Sequence, residues 1–337
     1  MSKTAILILN WNNQEFLERF LPGMIKETPT ELAEIIVADN GSKDNSVLWL
    51  KQNHPQIRII ELEKNHGFAG GYNLAIEECD HEIIGIVNSD IEVGKDWLTG
   101  IHTRLSKANV AAVMPKILSY SSKDQYEYAG AGGGFIDKFG YPFCRGRIFD
   151  SAEKDHGQYN DPIEVHWATG ACIFIKRKVF IDAGGFDSDF FAHMEEIDLC
   201  WRIRRMGLEI WVEPSSYVYH IGGGSLPNES PGKLYLNFRN NLALLYKNLP
   251  DNKVFKIMLI RLLLDGVAAA QYILKGQFKY LGSILKAHRD FYKWKPALRI
   301  AKRNSHIPSN EVEIYSKSIV KEYFLKGKKT FSSLNYK

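Results

Sequence analysis

Cysteine is scarce in this chain. The 337 residues contain only Cys79, Cys144, Cys172 and Cys200, which are scattered and show no metal-binding or redox spacing. This pattern argues against a zinc site, a dithiol redox motif and a disulfide framework. The first four residues lead directly into a strand-length apolar run, which is too short for the core of a signal peptide. We therefore expect a cytoplasmic protein with reduced thiols.

Long uncharged apolar runs are also missing. The best candidate for a membrane span, residues 254–273, is interrupted by Lys256, Arg261 and Asp265. A spanning helix needs about 20 predominantly apolar residues with few or no charges. The sequence therefore predicts no membrane-spanning segment.

Two common phosphate-binding fingerprints are absent. The chain has no G-x-G-x-x-G after its first strand pattern and no P-loop ending in Gly-Lys-Ser/Thr. It does contain a glycine-rich stretch, residues 65–73, which follows the third predicted strand and leads into a helix. Such a turn lets backbone approach a phosphate, and a helix N-terminus favours an anion. The alternative interpretation is a flexible connector.

Charge is distributed unevenly along the chain. Residues 253–337 contain 18 Lys and Arg against 5 Asp and Glu, a net charge of +13, whereas the whole chain carries +4. Residues 1–252 therefore carry −9. An acidic body with a basic C-terminal region predicts that this region meets an anionic partner.

Strand and helix patterns alternate over the first 115 residues. Continuous apolar strands separated by helices indicate a parallel sheet that is covered on both faces. Beyond them we predict irregular structure near 130–149, a strand at 171–175, a helix at 195–206, two short strands at 210–212 and 217–220, and mostly helix from 235. The first strands are predicted at 5–9, 34–39, 57–62, 82–87 and 110–114, and the helices at 14–26, after 42–44, from 72 and at 96–107.

Two aspartates end buried strands. Asp39 closes the second strand and Asp90 follows the fourth. In an open α/β sheet, ligands bind beyond the carboxyl ends of the strands. Asp39 can accept hydrogen bonds from a nucleobase or a ribose, and Asp90 can bind a hard cation such as Mg²⁺. The alternative for both is a plain turn, because Asp, Asn, Gly and Ser are turn formers.

Three further groups are candidates for chemistry. Glu195 and Glu196 open a predicted helix, and one of them can face a cleft as a general base, whereas Asp198 is favoured as an ion-pair partner of Arg202 four residues later. His220 ends a strand before the run Gly222-Gly223-Gly224-Ser225, where an imidazole can approach a phosphate or its metal. Arg239 can clamp a diphosphate, or it is a solvated helix residue.

Taken in order, these segments resemble an inverting nucleotide-sugar glycosyltransferase of family 2, in its rhamnosyltransferase-like branch. The resemblance covers residues 5 to about 248, and it depends on the order and spacing of several pieces. These pieces are residues 7–12 (Leu-Ile-Leu-Asn-Trp-Asn), 39–42, 65–73, 88–90, 169–171 and 190–204, together with His220.

The resemblance implies a GT-A fold, which is a Rossmann-like, mostly parallel sheet with flanking helices. It divides the chain into a catalytic domain, residues 1–248, and a basic helical C-terminal region, residues 249–337. It also implies a nucleoside diphosphate sugar donor and a divalent cation, Mg²⁺ or Mn²⁺, held by Asp90 and His220. Glu196 or Glu195 would be the catalytic base. The donor contacts would be Asn10, Asn12, Asp39, Asn65, Gly67, Gly70, Asn73, Ser89 and Arg239.

This chain departs from the family pattern at two positions. Asn88 replaces the first acid of the usual Asp-x-Asp metal motif, and Glu196 replaces an aspartate in the usual Glu-Asp pair. The first change predicts a weaker metal site or a larger contribution from His220. The second leaves the choice of base between Glu195 and Glu196 open.

The resemblance predicts a single in-line displacement that inverts the sugar, with a uridine or thymidine diphosphate donor, rhamnose being one candidate sugar. The acceptor would be a glycan or a lipid-linked hydroxyl. Apolar helical spacing from Phe255 to Val267, with Lys and Arg interspersed, fits a helix that lies on the inner face of the cell membrane or an ordinary helical cap. A non-catalytic nucleotide-sugar-binding homologue is the competing function. We expect no nucleic-acid partner, and a nucleotidyltransferase would need a glycine- and arginine-rich first loop, which this chain lacks.

Overall fold

The computed structural model describes residues 4–127, 130–222, 230–308 and 310–336. The elements of the first part are β1 (Thr4–Asn10), α1 (Gln14–Glu27), β2 (Ala33–Asp39), α2 (Ser46–Asn53), β3 (Arg58–Glu61), α3 (Gly67–Glu77), β4 (Ile83–Asn88), β5 (Ile91–Val93), α4 (Thr99–Leu105) and β6 (Val110–Ser119). Short strands follow, which are β7 (Gly134–Ile136), β8 (Pro142–Cys144), β9 (Arg147–Ile148), β10 (Ser151–Ala152) and β11 (Ile163–Glu164). The remaining elements are β12 (Cys172–Lys176), α5 (Arg177–Asp182), α6 (Glu195–Arg205), β13 (Glu209–His220), α7 (Pro231–Asn248), α8 (Asp251–Leu274) and α9 (Phe278–Arg303).

The central sheet confirms the predicted fold class. Its nine strands lie in the order β11-β13-β6-β12-β4-β1-β2-β3, with β5 paired to β13. Strands β3, β2, β1 and β4 are mutually parallel, and so are β6 and β13. Because β12 runs antiparallel to both β4 and β6, those two strands point the same way. Six of the nine strands described therefore run in one direction and bring their carboxyl ends to one edge.

Two details of the sheet differ from the sequence prediction. Strand β12 enters antiparallel between β4 and β6, which an apolar run alone does not reveal. Strand β13 is one continuous element where two short strands were predicted. The polar stretch that suggested a break, residues 213–216, is absorbed as an irregularity in register against β6 between Glu213 and Tyr217.

The core of the sheet is tightly packed where β4 meets β12. Phe174 on β12 is fully buried, and its ring lies 5.4 Å from that of Trp97. Gly85 on β4 makes room for it, since a Cβ there would come within 2.6 Å of the Phe174 ring. Close-packed interiors resist changes of volume. The edge that carries the candidate site is therefore built on a rigid platform.

The end of the chain returns to the body of the protein. A second, four-stranded sheet, β7 to β10, packs beside the first, and residues 315–319 lie along it. Tyr315 donates its backbone N–H to Ile136 (2.9 Å), and Ile319 donates its N–H to the buried Asp137 carboxylate (2.8 Å). The predicted boundary at residue 248 coincides with the end of α7, but contacts with residues 1–248 are made by residues well beyond it.

Helix α8 is long and apolar enough to span a membrane, contrary to the expectation from sequence, and little of its apolar stretch is buried in the protein. One face of it is tied to the protein. Arg261 is buried, contacts Asn241 and the carbonyl of Phe139, and pairs with Asp265 (3.3 Å). The opposite face leaves large apolar side chains exposed, including Phe255 at 80% and Leu263 at 65%.

Candidate functional site

The ends of β1 and β2 form the first part of the candidate site. Asn10 and Asp39 lie opposite each other in register and are both buried. Asn10 donates through Nδ2 to Asp39 Oδ1 (3.1 Å) and to Ser42 Oγ (3.2 Å), while the other Asp39 oxygen accepts from the Ser42 N–H (2.9 Å). Asp39 thus fixes the turn that begins at its own position. The turn and ligand interpretations of this residue are therefore compatible.

Asn12 joins the loops that follow these two strands. It has a φ of 52°, which only a minority of residues other than glycine adopt. Its side-chain oxygen accepts from the Lys43 N–H (2.7 Å), and its own N–H donates to Ser42 Oγ (2.9 Å). Asn12 is exposed, so its amide is accessible to a ligand at this rim.

The glycine-rich turn before α3 is fixed by hydrogen bonds, which argues against a flexible connector. Asn40, which sequence reasoning did not single out, donates to Asn65 Oδ1 (3.1 Å) and to the Gly67 carbonyl (3.0 Å). Asn65 in turn accepts from the Gly67 N–H (2.7 Å). Gly67 has a φ of +71°, and a Cβ there would lie 2.7 Å from the Phe191 ring. The Phe68 N–H donates to the Phe191 carbonyl (3.0 Å), so two N–H groups of the helix start are already engaged.

Gly70 and Asn73 lie further along α3 and have different surroundings. A Cβ at Gly70 would lie 3.1 Å from His66 Cβ, so this position favours a small residue. Asn73 pairs in both directions with the backbone of Phe186 (2.8 and 3.0 Å) and lies 3.4 Å from Ser188 Oγ. Its amide therefore anchors the 186–188 loop, and its donor contact remains only a prediction.

Asp90 and His220 meet beyond the ends of β4 and β13, as the sequence predicted. His220 Nε2 lies 3.3 Å from Asp90 Oδ1, and its Nδ1 lies 3.2 Å from Glu127 Oε2. Burial alone would lower the pKa of His220, but hydrogen bonding and the charges of Asp90 and Glu127 outweigh it and raise that pKa to about 10. Glu127 has no motif around it, and only the fold brings it here. Ser89 is buried beside Asp90.

The chemistry of these side chains fits a divalent cation. Carboxylate oxygens with one imidazole nitrogen are suitable ligands for Mn²⁺ or Mg²⁺. In the part of the chain that the structure describes, no group of three or more His, Cys, Asp and Glu residues is arranged as a ready metal centre. The imidazole instead pairs with Asp90 and would have to lose a proton to bind a metal. Gly222 follows, while Gly223, Gly224 and Ser225 lie outside the described residues.

Helix α6 presents the two candidate bases after a strained turn. Phe191, His193 and Met194 all have positive φ, between 66° and 75°. Such conformations cost on the order of 1–3 kcal/mol each and cluster at functional sites. Burial raises the pKa of Glu196 to about 7. Burial also raises the pKa of Glu195 well above its ordinary value, with the neighbouring Glu196 charge as a second cause.

The surroundings of the two glutamates distinguish them. Each has one buried carboxylate oxygen that lacks a hydrogen-bond partner among the described residues, but Glu195 as a whole is buried. Glu196 is half-buried, and its Cβ lies 3.8 Å from where a Cβ of Gly170 would be. The residue after Gly170, Ala171, accepts a hydrogen bond from the Asn88 N–H at the end of β4 (2.9 Å). Glu196 therefore faces the β4 end of the site.

Asp198 is structural, as predicted. It is fully buried and accepts hydrogen bonds from Arg202 (2.9 Å), Lys247 (2.9 Å) and Asn248 (2.7 Å). Burial by itself would raise its pKa, but the charges of Lys247 and Arg202 lower that pKa to about 2. The ion pair with Arg202 confirms the expected spacing of four residues.

Arg239 is committed to the protein backbone. Its guanidinium donates to the carbonyls of Asp189 (3.0 Å) and Phe190 (3.1 Å) and to Asn240 Oδ1 (2.8 Å). Its predicted diphosphate contact would require these bonds to change. Next to it, the buried Asn240 places its Nδ2 within 2.7–3.0 Å of three backbone carbonyls, those of Phe190, Ala192 and His193. Sequence reasoning missed Asn240, which lies beside a residue that it did select.

The sheet brings the predicted residues to one edge. Asn10 is in register with Asp39 on one side, and Leu9 is in register with Asn88 on the other. Neighbouring strands lie about 4.8 Å apart, so Asp39 and Asn88 end strands that are about 10 Å apart. This span suits a ligand with a base at one end and a diphosphate at the other.

A family model described as Glycosyl transferase family 2 matches residues 5–184, more than half of the chain. This chain belongs to glycosyltransferase family 2. It is therefore a glycosyltransferase. Its fold is of the GT-A type.

Individual relatives share about a quarter of their residues with this transferase. It is 24% identical over 290 residues to the low-salt glycan biosynthesis hexosyltransferase Agl10 of Haloferax volcanii. The matched region covers 82% of this chain and 87% of that protein. It is also 24% identical over 233 residues to the N-acetylglucosaminyl-diphospho-decaprenol L-rhamnosyltransferase of Mycobacterium tuberculosis, covering 64% of this chain and 75% of the relative. The crystal structure of GalNAc-T7 with UDP, GalNAc and Mn²⁺ matches with a TM-score of 0.59 and 16% identity, over 91% of this chain and 58% of that chain.

Proposed function

We propose that this transferase moves a sugar from a uridine or thymidine diphosphate donor to a hydroxyl group of a glycan or a lipid-linked acceptor, with inversion at the anomeric carbon. The observation that carries the proposal is that the Asn10–Asp39 pair, the Gly67 turn and the Asp90–His220 pair all lie at or after strands that end at one sheet edge. Glu196 lies near Gly170, whose neighbour Ala171 bonds to the end of β4. Rhamnose is the first sugar to test, because one relative is named as an L-rhamnosyltransferase.

Each group has a defined task in this proposal. Asp39 accepts hydrogen bonds from the base or ribose, and so does Asn10 through its Oδ1, because its amide hydrogens are donated to Asp39 and Ser42. Asn12 borders the same rim. Glu196 accepts the proton of the acceptor hydroxyl as that oxygen attacks the sugar. One displacement without a covalent intermediate inverts the anomeric centre. A divalent cation bound at Asp90 and His220 would supply positive charge to the leaving diphosphate. Asn65, Gly67 and Gly70 shape the turn that faces the diphosphate.

A donor screen by thermal shift tests the proposal. A ligand that binds only the folded state stabilises it and so raises the melting temperature. At a ligand concentration of 100 times Kd, the free energy of unfolding increases by about 2.7 kcal/mol. We expect one uridine or thymidine diphosphate sugar to stabilise the wild type, and to do so more strongly with Mn²⁺ or Mg²⁺. The additional shift that the metal gives should disappear in Asp90→Asn. Failure of every nucleoside diphosphate sugar to shift the wild type would contradict the proposal.

A non-catalytic donor-binding homologue is the second candidate. Asn88 and Glu196, in place of the usual aspartates, favour it. Both candidates predict donor binding, and only the transferase predicts turnover. Release of free nucleoside diphosphate that depends on an acceptor, or slow donor hydrolysis that disappears in Asp90→Asn, would exclude the second candidate.

The pH dependence follows from the raised pKa of Glu196. A base must be ionised to accept a proton, and burial raises this pKa to about 7. We expect kcat/KM to fall about tenfold per pH unit below about pH 7 and to level off above it. Melting temperatures measured over the same pH range serve as the control for unfolding. A rate that stays constant down to pH 5 would contradict the assignment of Glu196 as base.

Asn240 is expected to position the strained turn that precedes Glu196. Replacing Asn240 with alanine removes the donor shared by three carbonyls, so the turn should relax and displace the base. Misplacement of a base by about 1 Å costs on the order of 10²-fold in rate. We expect kcat to fall by that factor while the donor still raises the melting temperature. Asn237→Ala, one turn earlier on α7, is the matched control, and an equal loss in both variants would contradict the role.

We also propose that the protein works at the cytoplasmic face of the membrane, where a lipid-linked acceptor would be presented. The exposed apolar face of α8 and the basic charge of residues 253–337 support this location.

A further inference from the structure

A cavity of about 840 Å³ lies between α8 and α9, and none of the candidate site residues lines it. Its α8 side is apolar and is formed by Val254, Phe255, Met258, Leu259 and Leu262. Phe255 is 80% exposed, and Leu259 and Leu262 are about half exposed. Exposed apolar side chains that gather along one groove indicate a site for an apolar partner.

Cations line the opposite wall of this groove. Lys295, Arg299 and Arg303 are spaced four residues apart on α9, so they form one row along that helix. All three are exposed, and none forms an ion pair within the part of the chain that the structure describes. Lys295 lies over the rings of Tyr246 (5.4 Å) and Tyr292 (5.9 Å).

The other charged groups of the groove are already engaged. Lys302 pairs with Asp251 (2.7 Å) and donates to the carbonyls of Tyr246 and Leu249. Arg205 donates to the carbonyls of Ile307 and Pro308. The acid in the groove, Asp251, is thus balanced by Lys302. The three cations of the α9 row therefore give this wall a net positive charge.

Helix α8 cannot leave the protein to span a membrane without a large loss of contacts. Arg261 and Asp265 are buried on its inner face, where Arg261 contacts Asn241 and lies 4.0 Å from the Tyr141 ring. His288 of α9 also binds Asp265 (3.1 Å). A helix that is held on one side and apolar on the other suits a position in the plane of a membrane interface.

We propose that the groove between α8 and α9 binds an anionic phospholipid, with an acyl chain on the apolar wall and the phosphate at the Lys295–Arg299–Arg303 row. This deepens the membrane location proposed above and does not depend on the identity of the sugar donor. The apolar wall matches the acyl chain of such a lipid, and the cationic row matches its phosphate. The two walls lie side by side, as the acyl chain and the phosphate do in the lipid.

Two other occupants fit the groove less well. Free phosphate would contact the cationic row and leave the apolar wall in water. A second copy of this chain that used the same face would, in a twofold arrangement, bring two cationic rows together, and like charges at an interface oppose association. The lipid satisfies both walls at once.

Vesicle flotation with the full-length protein tests the proposal. Vesicles of phosphatidylcholine alone are compared with vesicles in which about a third of the lipid is phosphatidylglycerol. Each Lys or Arg near an anionic surface strengthens binding by about 1 kcal/mol, or about fivefold. We therefore expect the triple variant K295Q/R299Q/R303Q to bind anionic vesicles about 100-fold more weakly than the wild type.

A matched control changes the same charge elsewhere. Lys317, Lys321 and Lys329 are exposed residues outside the groove, and K317Q/K321Q/K329Q should bind nearly as well as the wild type. A second variant, F255S/L259S, removes exposed apolar side chains and should weaken binding while the cationic row stays intact. Equal binding by both triple variants would overturn the proposal, because general positive charge would then explain it.

Other outcomes identify a different occupant. Loss of vesicle binding in millimolar inorganic phosphate at constant ionic strength would assign the row to free phosphate and overturn the proposal. Reversible dimerisation in sedimentation velocity that disappears in F255S/L259S would assign the groove to a second copy. Donor thermal shifts are measured on every variant. If no donor binds but lipid binding depends on the cationic row, the proposed function fails and the lipid site stands. If a donor binds but lipid binding does not depend on the row, the lipid site fails and the proposed function stands.

Discussion

Replacing Glu196 with glutamine is expected to lower kcat by about 10³-fold, the usual size of a lost general base. The substitution keeps the size of the side chain and removes only its ability to accept a proton. Because burial already disfavours the ionised carboxyl group, as its raised pKa shows, a neutral amide should not destabilise the fold. We therefore expect an unchanged melting temperature and an unchanged thermal shift by the donor, with transfer measured as release of nucleoside diphosphate in the presence of acceptor.

Glu195→Gln is the matched control, because the two glutamates are adjacent and are both held at raised pKa. Glu195 is almost fully buried, whereas Glu196 is half-buried and faces Gly170. We expect Glu195→Gln to change kcat by less than about tenfold. If Glu195→Gln shows the larger loss, the base is Glu195, and the pH profile must then be assigned to that residue.

The fold could be predicted from the sequence because its first half consists of local signals. Apolar runs that end at Asn10, Asp39 and Asn88 are continuous, as in strands that are buried on both faces, and the parallel arrangement follows from the helices between them. The antiparallel position of β12 depends on long-range pairing with β4 and β6. An apolar run of five residues carries no information about its direction.

The candidate site was predictable where residues follow strands directly. Asp39, Asp90 and His220 end or follow strands, and parallel strands deliver such residues to one edge. Glu127 and Asn240 could not be found in the same way. Glu127 reaches His220 only because the chain folds back beside β6, where Tyr126 bridges to Leu118. Asn240 acts through backbone carbonyls of a turn whose strained conformation has no sequence signature.

Some predicted ligand residues have structural partners that sequence cannot show. Asn73 and Arg239 were chosen for their amide and guanidinium groups, which suit phosphates and sugars. In the structure they hold backbone groups of the 186–190 loop. A side chain that can bind a ligand can equally bind a carbonyl, and only the fold decides which of the two lies within reach.

Neutralising Asp198 is expected to have the largest effect on stability. Its carboxylate is fully buried and accepts hydrogen bonds from Arg202, Lys247 and Asn248. These bonds connect α6 to α7. Asp198→Asn leaves two cations with less counter-charge, since only Asp187 still pairs with Lys247 (2.6 Å). Removing one partner of a buried ion pair costs roughly 3–5 kcal/mol. We expect a loss of that size in the free energy of unfolding, measured with a chemical denaturant.

Asp182→Asn is the matched control for this loss. Asp182 pairs with Lys178 (2.7 Å), also four residues away on a helix, but both side chains are exposed. Exposed pairs contribute about 0–1 kcal/mol, so this variant should be close to the wild type. Equal losses in the two variants would show that burial of the Asp198 charge is not the cause.

The pH dependence gives a second test of the same cause. The pKa of Asp198 is lowered to about 2 in the folded protein, whereas an unfolded aspartate titrates near 3.9. The stabilisation is therefore fully present above about pH 4 and disappears as the pH falls through about 2. A difference of about two pKa units corresponds to about 2–3 kcal/mol, so the gap between the wild type and Asp198→Asn should narrow over that interval. A gap that stays constant down to pH 2 would mean that the loss comes from packing of the side chain, because a charge effect must vanish when the carboxylate is protonated.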